Sequence, residues 1–138
     1  MFVAFHLHCT GFPVAGLNTC KTPLGMESGQ ISDDSITASS QFDPFWLFCC
    51  NFPENARLHV NKGAWVPDQS LIDHAQMEWL QIDLRNDTQI TGISSQGHPL
   101  VSFYFVKFYS LSYSNDGVNF KVYQQGHETK VNYKLRWV

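Results

Sequence analysis

The clearest pattern of apolar and polar positions lies in the middle of the chain, between residues 56 and 97. Residues 79–84 read Trp-Leu-Gln-Ile-Asp-Leu, so that apolar side chains alternate with polar ones. A period of two predicts a strand with one buried face. Asn86 and Asp87 predict a turn after this strand, and the β-prone residues 88–93 predict a second one.

A second alternating segment covers residues 105–113. One set of alternate positions holds Phe105, Lys107, Tyr109, Leu111 and Tyr113, and the other holds Val106, Phe108, Ser110 and Ser112. Residues 115–117 read Asn-Asp-Gly, which predicts a tight turn because these residue types tolerate positive φ. Phe120 and Val122 predict the returning strand, and Ile36 predicts a short strand upstream. Short strands at this spacing, with no convincing amphipathic helix, predict an all-β sandwich.

Composition narrows the class of protein. A chain of 138 residues suits one domain, and 43% hydrophobic against 15% charged residues predicts a folded chain. The net charge of -3 gives no electrostatic reason to expect nucleic acid as a partner. No apolar run has the length that a membrane-spanning helix needs.

The sequence carries no convincing catalytic or metal-binding motif. His6, His8 and Cys9 are metal-ligand residue types, but they lack the second ligand pair of a structural zinc site. Residues 92–97 lack the G-x-S-x-G spacing of a nucleophile elbow, and no histidine is paired in sequence with a nucleophile. We therefore expect no enzyme activity, no metal and no cofactor.

Four cysteines are compatible with an oxidising compartment, but they define no disulfide framework. They are Cys9, Cys20, Cys49 and Cys50. The adjacent pair is unsuited to bonding with itself, since disulfide geometry strains a vicinal pair.

A series of short motifs resembles the coagulation factor V/VIII type C domain, also called the discoidin domain. The matching blocks, in order, are 20–40, 56–59, 63–65, 78–84, 91–93, 95–97, 104–107, 113–117 and Phe120. The resemblance implies an extracellular antiparallel β-sandwich, similar to a jelly-roll barrel, with no catalytic activity. Such domains bind phospholipids, glycans, collagen or protein receptors through loops at one end.

The resemblance divides the chain into three parts. We assign 20–126 to the discoidin domain, 127–138 to a divergent tail and 1–19 to an N-terminal segment of uncertain status, either an upstream remnant or a weak signal-like sequence. The family's first and last cysteines bond to each other; Cys20 matches the first, but no cysteine follows Cys50. We therefore expect a domain truncated at its C-terminal end, with Cys20 unpaired in this chain and low stability on its own.

Three loops correspond to the binding loops of the family, at residues 42–52, 61–63 and 98–103. Their candidate ligand- or membrane-binding residues are Phe45, Trp46, Leu47, Phe48, Lys62, Leu100, Val101 and Phe103. Leu47 and Phe48 fall at the tip of the first loop. Exposed apolar side chains there can enter the acyl boundary of a bilayer. The alternative is that they cover the end of the sandwich and contact no ligand.

The sequence therefore predicts a non-enzymatic extracellular recognition module for cell adhesion or for binding the cell surface or matrix. Its partner would be a phospholipid, glycan, collagen or protein receptor, with peripheral membrane contact as one mode. Two alternatives remain: a module that binds anionic phospholipid, and a carbohydrate-binding or targeting appendage of a larger enzyme.

Three further interpretations concern single residues. Asn86, followed by Asp87 and Thr88, begins the chain's one N-x-[ST] acceptor for N-glycosylation with a permitted middle residue. Arg57 is expected to pair with a carboxylate such as Asp83 or Glu78 for a structural reason. Two tryptophans, Trp65 and Trp79, are expected in the core and not on a ligand-stacking surface.

Overall fold

Seven short strands carry the fold that a computed structural model gives for this chain. The structure describes residues 4–8, 23–43, 51–59, 63–68, 70, 77–90, 92–99, 105–124 and 134–137. Within these ranges the strands are β1 (Ala4–His8), β2 (Ile36–Ala38), β3 (Trp79–Ile82), β4 (Gly92–Gln96), β5 (Ser110–Tyr113), β6 (Lys121–Val122) and β7 (Lys134–Trp137). Single 3-10 turns occupy Asp33–Ser35 and Pro53–Asn55.

The alternation around Leu80 has the predicted consequence. Leu80 and Ile82 of β3 are buried, while Trp79 and Gln81 are half-buried. On one side β3 pairs antiparallel with β2, so that Ile36 lies opposite Ile82. Because each buried residue of β3 faces the same side, one face of this strand pair contributes to the core.

The larger sheet is mixed, although the resemblance implies antiparallel pairing. Its strand order is β2-β3-β7-β5-β6, and the smaller sheet pairs β1 with β4. β7 runs parallel to both of its neighbours, whereas the other pairs are antiparallel.

Both sheets contribute to one hydrophobic core. The buried members are Met26, Ile31, Ile36, Ala56, Trp65, Leu80 and Ile82. Ile93 of β4 and Leu111 of β5 are partly buried and pack against this cluster. Residues from two sheets therefore meet in a single core, which confirms the all-β class and the β-sandwich.

Several element boundaries differ from the predictions. The alternating segment 105–113 forms a strand only at Ser110–Tyr113, and both Phe105 and Phe108 are exposed. The strand expected at 88–93 begins instead at Gly92, because Thr88 turns back and donates its hydroxyl to the Asn86 carbonyl at 2.8 Å. β1 lies within the segment 1–19, and β7 lies within 127–138.

The strand directions define two ends of the larger sheet. At one end, β3 begins and the Ser39 N–H donates to the Trp79 carbonyl at 2.9 Å; we call this the loop end. At the other end, β3 and β5 both finish, and the Asp83 N–H donates to the Ser35 carbonyl at 2.8 Å. We call this second end, formed by residues 33–35, 83–88 and 113–117, the cleft end.

Candidate functional site

Val66 joins the two sides of the first predicted binding loop. Its carbonyl accepts a hydrogen bond from the Phe42 N–H at 2.7 Å, and its own N–H donates to the Asn51 carbonyl at 3.2 Å. Val66 itself is buried. Residues 42 and 51, on either side of the segment 43–50, are therefore held at one fixed point of the scaffold.

A network of hydrogen bonds next to Val66 further fixes the backbone at the loop end. The Trp65 indole donates to the Ser40 carbonyl at 2.9 Å, and the Asp68 N–H donates to the Ser40 hydroxyl at 3.0 Å. The hydroxyls of Ser39 and Ser40 both donate to the buried Glu78 carboxylate, the latter at 2.6 Å. Because buried polar groups need hydrogen-bond partners, this network holds residues 39–40, 65–68 and 78 in one arrangement.

The second predicted loop is tied to the third by His59. Its backbone N–H donates to the Gln96 side-chain oxygen at 3.3 Å, and its imidazole Nδ1 lies 2.9 Å from a Glu27 carboxylate oxygen. Gln96 is the last residue of β4, directly before the segment that leads to residues 98–103. The entry to the second loop therefore lies beside the entry to the third.

Most of the proposed contact residues belong to segments whose structure is not described. Phe45, Trp46, Leu47, Phe48, Lys62, Leu100, Val101 and Phe103 lie outside the described residues, as does Cys20. Asn86 is described: it is exposed and lies at the cleft end. The predicted contacts thus remain predictions, but the backbone is described up to residues 43, 59 and 99 and again from residues 51, 63 and 105.

Two aromatic residues at the ends of the first loop, 42–52, were not named individually as candidate contacts. Phe42 and Phe52 are 42% and 38% exposed, and they flank the segment 43–51. The sequence feature that points to them is the high proportion of aromatic residues between positions 42 and 52. Exposed side chains of this size add apolar surface at the base of the first loop.

His98, at the start of the third loop, is half-buried. Its burial lowers the pKa of the imidazole below 6.5, because the charged form loses hydration. A neutral His98 is therefore the form that the folded loop end favours.

Arg57 has a structural role, but its carboxylate partner is not the one predicted. Its guanidinium donates to the carbonyls of Met26 at 2.7 Å and Ile31 at 2.8 Å and forms an ion pair with Asp33. The two expected partners are engaged elsewhere: Asp83 lies 3.3 Å from Arg85, and Glu78 accepts the serine hydroxyls described above. Asp33 is the ion-pair partner because the loop that carries the Met26 and Ile31 carbonyls also carries the Asp33 carboxylate.

The tryptophan prediction holds for Trp65, which is buried, and Trp79 is half-buried. Within the described part of the chain, no group of three His, Cys, Asp or Glu side chains is placed to hold a metal ion. No helix in that part is long and apolar enough to cross a bilayer.

Two sheets packed on one core define an all-β sandwich, and the entries to its candidate binding loops are connected by hydrogen bonds. The profile of the F5/8 type C domain matches residues 35–136. This chain belongs to that family, which confirms the resemblance of its motifs. The match extends into residues 127–138 and includes most of β7.

Relatives of known name cover most of the chain. Coagulation factor VIII of Sus scrofa is 41% identical over 118 residues, 83% of this chain and 5% of the relative. Neuropilin-2 of Rattus norvegicus is 40% identical over 116 residues, which are 81% of this chain and 12% of the relative. The venom prothrombin activator omicarin-C non-catalytic subunit of Oxyuranus microlepidotus is 37% identical over 120 residues, which are 86% of this chain and 8% of the relative.

The chain therefore spans about 5–12% of the length of these relatives. No solved structure matches the chain at a significant level.

Proposed function

We propose that this chain is a non-enzymatic extracellular recognition module that binds a cell-surface or matrix ligand through its loop end. The observation that carries the proposal is the connection among the loop entries. Val66 holds both sides of the first loop, and His59 joins the second loop to Gln96 beside the third. Hydrogen bonds of this kind give the three loops a common fixed base, as a binding surface built from loops requires.

The comparisons support a binding role without catalysis. The family is the F5/8 type C domain, and one relative is by name a non-catalytic subunit. The relatives named coagulation factor VIII and neuropilin-2 support an extracellular setting, in which the cysteines and the Asn86 acceptor could also be used.

Apolar contact is the main source of affinity in this proposal. Leu47 and Phe48, at the predicted tip of the first loop, would each contribute about 1.5–3 kcal/mol when buried against a ligand. Exposed Phe42 and Phe52 lie at the base of the same loop and add to its apolar surface. The same side chains would gain little by remaining exposed in the free protein.

Charge contributes less. Lys62 is the basic residue of the proposed surface, and one lysine near an anionic membrane adds about 1 kcal/mol. Asp43 and Glu54, on either side of the first loop, oppose an anionic partner. We therefore favour adhesion to a cell-surface or matrix ligand over binding to anionic phospholipid, and we expect binding to depend weakly on salt.

The test is the double variant Leu47→Ser, Phe48→Ser. A matched control removes apolar surface elsewhere: Val118→Ser, Val122→Ser changes two exposed valines near the β5–β6 connection. Both variants and the parent protein are first compared by urea unfolding. They are then titrated with phosphatidylserine vesicles, immobilised glycans, collagen and intact cells, each at two salt concentrations.

We expect the first variant to lose at least tenfold in affinity for the ligand that the parent binds, and the control to retain it. Equal binding by the first variant would place the site on a sheet face or rim. Binding confined to anionic vesicles, abolished by high salt, would favour the phospholipid alternative. Binding confined to glycans would favour the carbohydrate-targeting alternative.

A further inference from the structure

The cleft end carries a small polar depression that the proposed loop-end site does not use. Its volume is about 280 Å³, and its walls come from the residues that follow β3 and from the end of β5. Asn86 and Asp87 lie on the first wall, and Tyr113 and Asn115 lie on the second. Small-molecule sites usually enclose about 300–1,000 Å³, so this depression suits one group of about monosaccharide size.

Strand register sets the distance between the two walls. Ile82 of β3 and Tyr113 of β5 are both aligned with Trp137 of the intervening β7. Neighbouring strands lie about 4.8 Å apart, so the two walls leave the sheet about 10 Å from each other.

The charges of the cleft disfavour an anionic ligand. Its cation, Arg85, is already engaged: the guanidinium lies 3.1 Å from Asp34 and 3.3 Å from Asp83, and its Nε–H donates to the Ser35 hydroxyl at 3.1 Å. Asp87 adds a further carboxylate to the lining. A neutral group rich in hydroxyl and amide hydrogen-bonding atoms fits this lining better than a phosphate or a carboxylate does.

The glycosylation acceptor is part of the same cleft. Asn86 is exposed, and the Thr88 hydroxyl that completes the acceptor donates to the Asn86 carbonyl at 2.8 Å. Arg85, directly before it, has a φ of +62° and turns the chain at the rim. The cleft wall across from Asn86 carries Tyr113, which is 37% exposed and offers an aromatic surface.

We propose that Asn86 carries an N-linked glycan whose first N-acetylglucosamine folds back into this cleft and packs against Tyr113. Pyranose rings present C–H groups to aromatic faces, and the N-acetyl and hydroxyl groups find polar partners in the lining. The attached sugar would therefore contact both the loop after β3 and the loop after β5 and restrict their relative movement.

The position of the glycan has a second consequence. The cleft end is opposite the loop end of the larger sheet, so the outer sugars project away from the proposed binding loops. Glycosylation at Asn86 is thus compatible with ligand binding. The inference does not rest on the loop-end proposal, because it concerns the secreted protein's own modification and stability.

The test uses protein secreted from mammalian cells that produce only high-mannose glycans. Three forms are compared by thermal unfolding: intact, trimmed by endoglycosidase H to a single N-acetylglucosamine, and fully deglycosylated by peptide N-glycosidase F. The last enzyme converts Asn86 to aspartate, so Asn86→Asp serves as its matched control. Tyr113→Ala is prepared in the same three forms.

We expect the intact and trimmed proteins to unfold at the same temperature. Removal of the first sugar should lower that temperature by roughly 2–6 °C, a shift that a modest contact produces in a domain of this size. In Tyr113→Ala the trimmed and deglycosylated forms should unfold together. Secreted protein without glycan at Asn86, or equal unfolding temperatures for the trimmed and deglycosylated parent, would overturn the inference.

A second measurement does not depend on the folding of the Tyr113 variant. In the trimmed parent, the Tyr113 ring current should move proton resonances of the single N-acetylglucosamine upfield of their positions in a free glycopeptide. Resonances at the free positions would show that the sugar is not seated, and the proposal would then be wrong.

Discussion

Replacement of Arg57 by methionine removes one guanidinium while keeping most of the aliphatic stem. The guanidinium is buried and donates to the carbonyls of Met26 and Ile31 at 2.7 and 2.8 Å. It also contacts Asp33, whose side chain is 74% exposed. The substitution therefore separates the contribution of the hydrogen bonds from that of side-chain packing.

The two carbonyls set the magnitude. Each buried acceptor left without its partner costs about 1–3 kcal/mol, so Arg57→Met should lower the free energy of unfolding by about 2–6 kcal/mol. The ion pair with exposed Asp33 is screened by water and contributes less than about 1 kcal/mol. Most of the loss should therefore come from the backbone contacts. Since a domain is typically stable by about 5–15 kcal/mol, the loss is a large fraction of the total.

Urea unfolding followed by tryptophan fluorescence measures this loss. We expect the midpoint for Arg57→Met to fall by at least about 1 M, with little change in the slope. Asp33→Ala is the matched control and should shift the midpoint only slightly. The urea midpoint of Arg57→Lys should lie between those of Arg57→Met and Asp33→Ala, because a lysine ammonium lacks the planar, forked guanidinium that donates to both carbonyls.

Two results would contradict this reasoning. If Asp33→Ala destabilises the protein as much as Arg57→Met does, the ion pair is the main contribution. If Arg57→Met costs less than about 1 kcal/mol, the two carbonyls find other partners and the arginine is not required.

Two further predictions concern a glycine and a histidine. Gly25 has a φ of +102°, and an added Cβ would lie 2.4 Å from the Gln30 Cβ, whereas a Cβ at Gly29, with a φ of +80°, would meet open space. Gly25→Ala should therefore lower the urea midpoint clearly more than the control Gly29→Ala does, and equal shifts would contradict this reasoning. Burial lowers the pKa of His98 below 6.5, so its contribution to stability is complete above pH 6.5 and falls as the pH decreases toward the folded pKa. His98→Gln should reduce the difference in urea midpoint between pH 7.5 and pH 5.5, and an unchanged difference would exclude His98 as its source.

Features encoded by neighbouring residues could be predicted from the sequence. Alternation over 79–84 identified β3, and the Asn-Asp-Gly turn holds: Gly117 has a φ of +72°, and Asp116 accepts the Asn119 N–H at 2.7 Å. Hydrogen bonds from Asn119, Ser114 and the Val118 N–H hold the pKa of Asp116 well below its usual range. These contacts span at most three residues, so the local sequence contains their cause.

Features that depend on distant contacts were not predictable. The partner of Arg57 lies 24 residues upstream in an irregular segment, and nothing in the local pattern distinguishes Asp33 from Asp83. The pairing of β1 with β4 joins residues about ninety positions apart, from Ala4 opposite Gln96 to His8 opposite Gly92. The residues 105–109 have the right alternation but form no strand with any described part of the chain, where the pairing of β5 with β7 begins at Ser110.

The two ends of the sheet are held by different kinds of contact, and this difference bears on function. At the loop end, backbone groups of Phe42, Val66 and Asn51 hold the sides of the first loop. Main-chain hydrogen bonds survive most side-chain replacements, so residues 43–50 can change without loss of that anchor. At the cleft end, side chains hold the loops: Asp83 accepts the Arg85 N–H at 2.7 Å, and Asp116 caps the β5–β6 connection.

A scaffold of this kind permits variation in the first loop and restricts it in the cleft loops. Substitutions within residues 43–50 should therefore alter ligand choice with little effect on folding, whereas substitutions at Asp83 or Asp116 should affect folding first. The division fits a family whose members include proteins named for coagulation and a neuropilin. It also agrees with our proposal that the loop end, and not the cleft end, carries the ligand-specific surface.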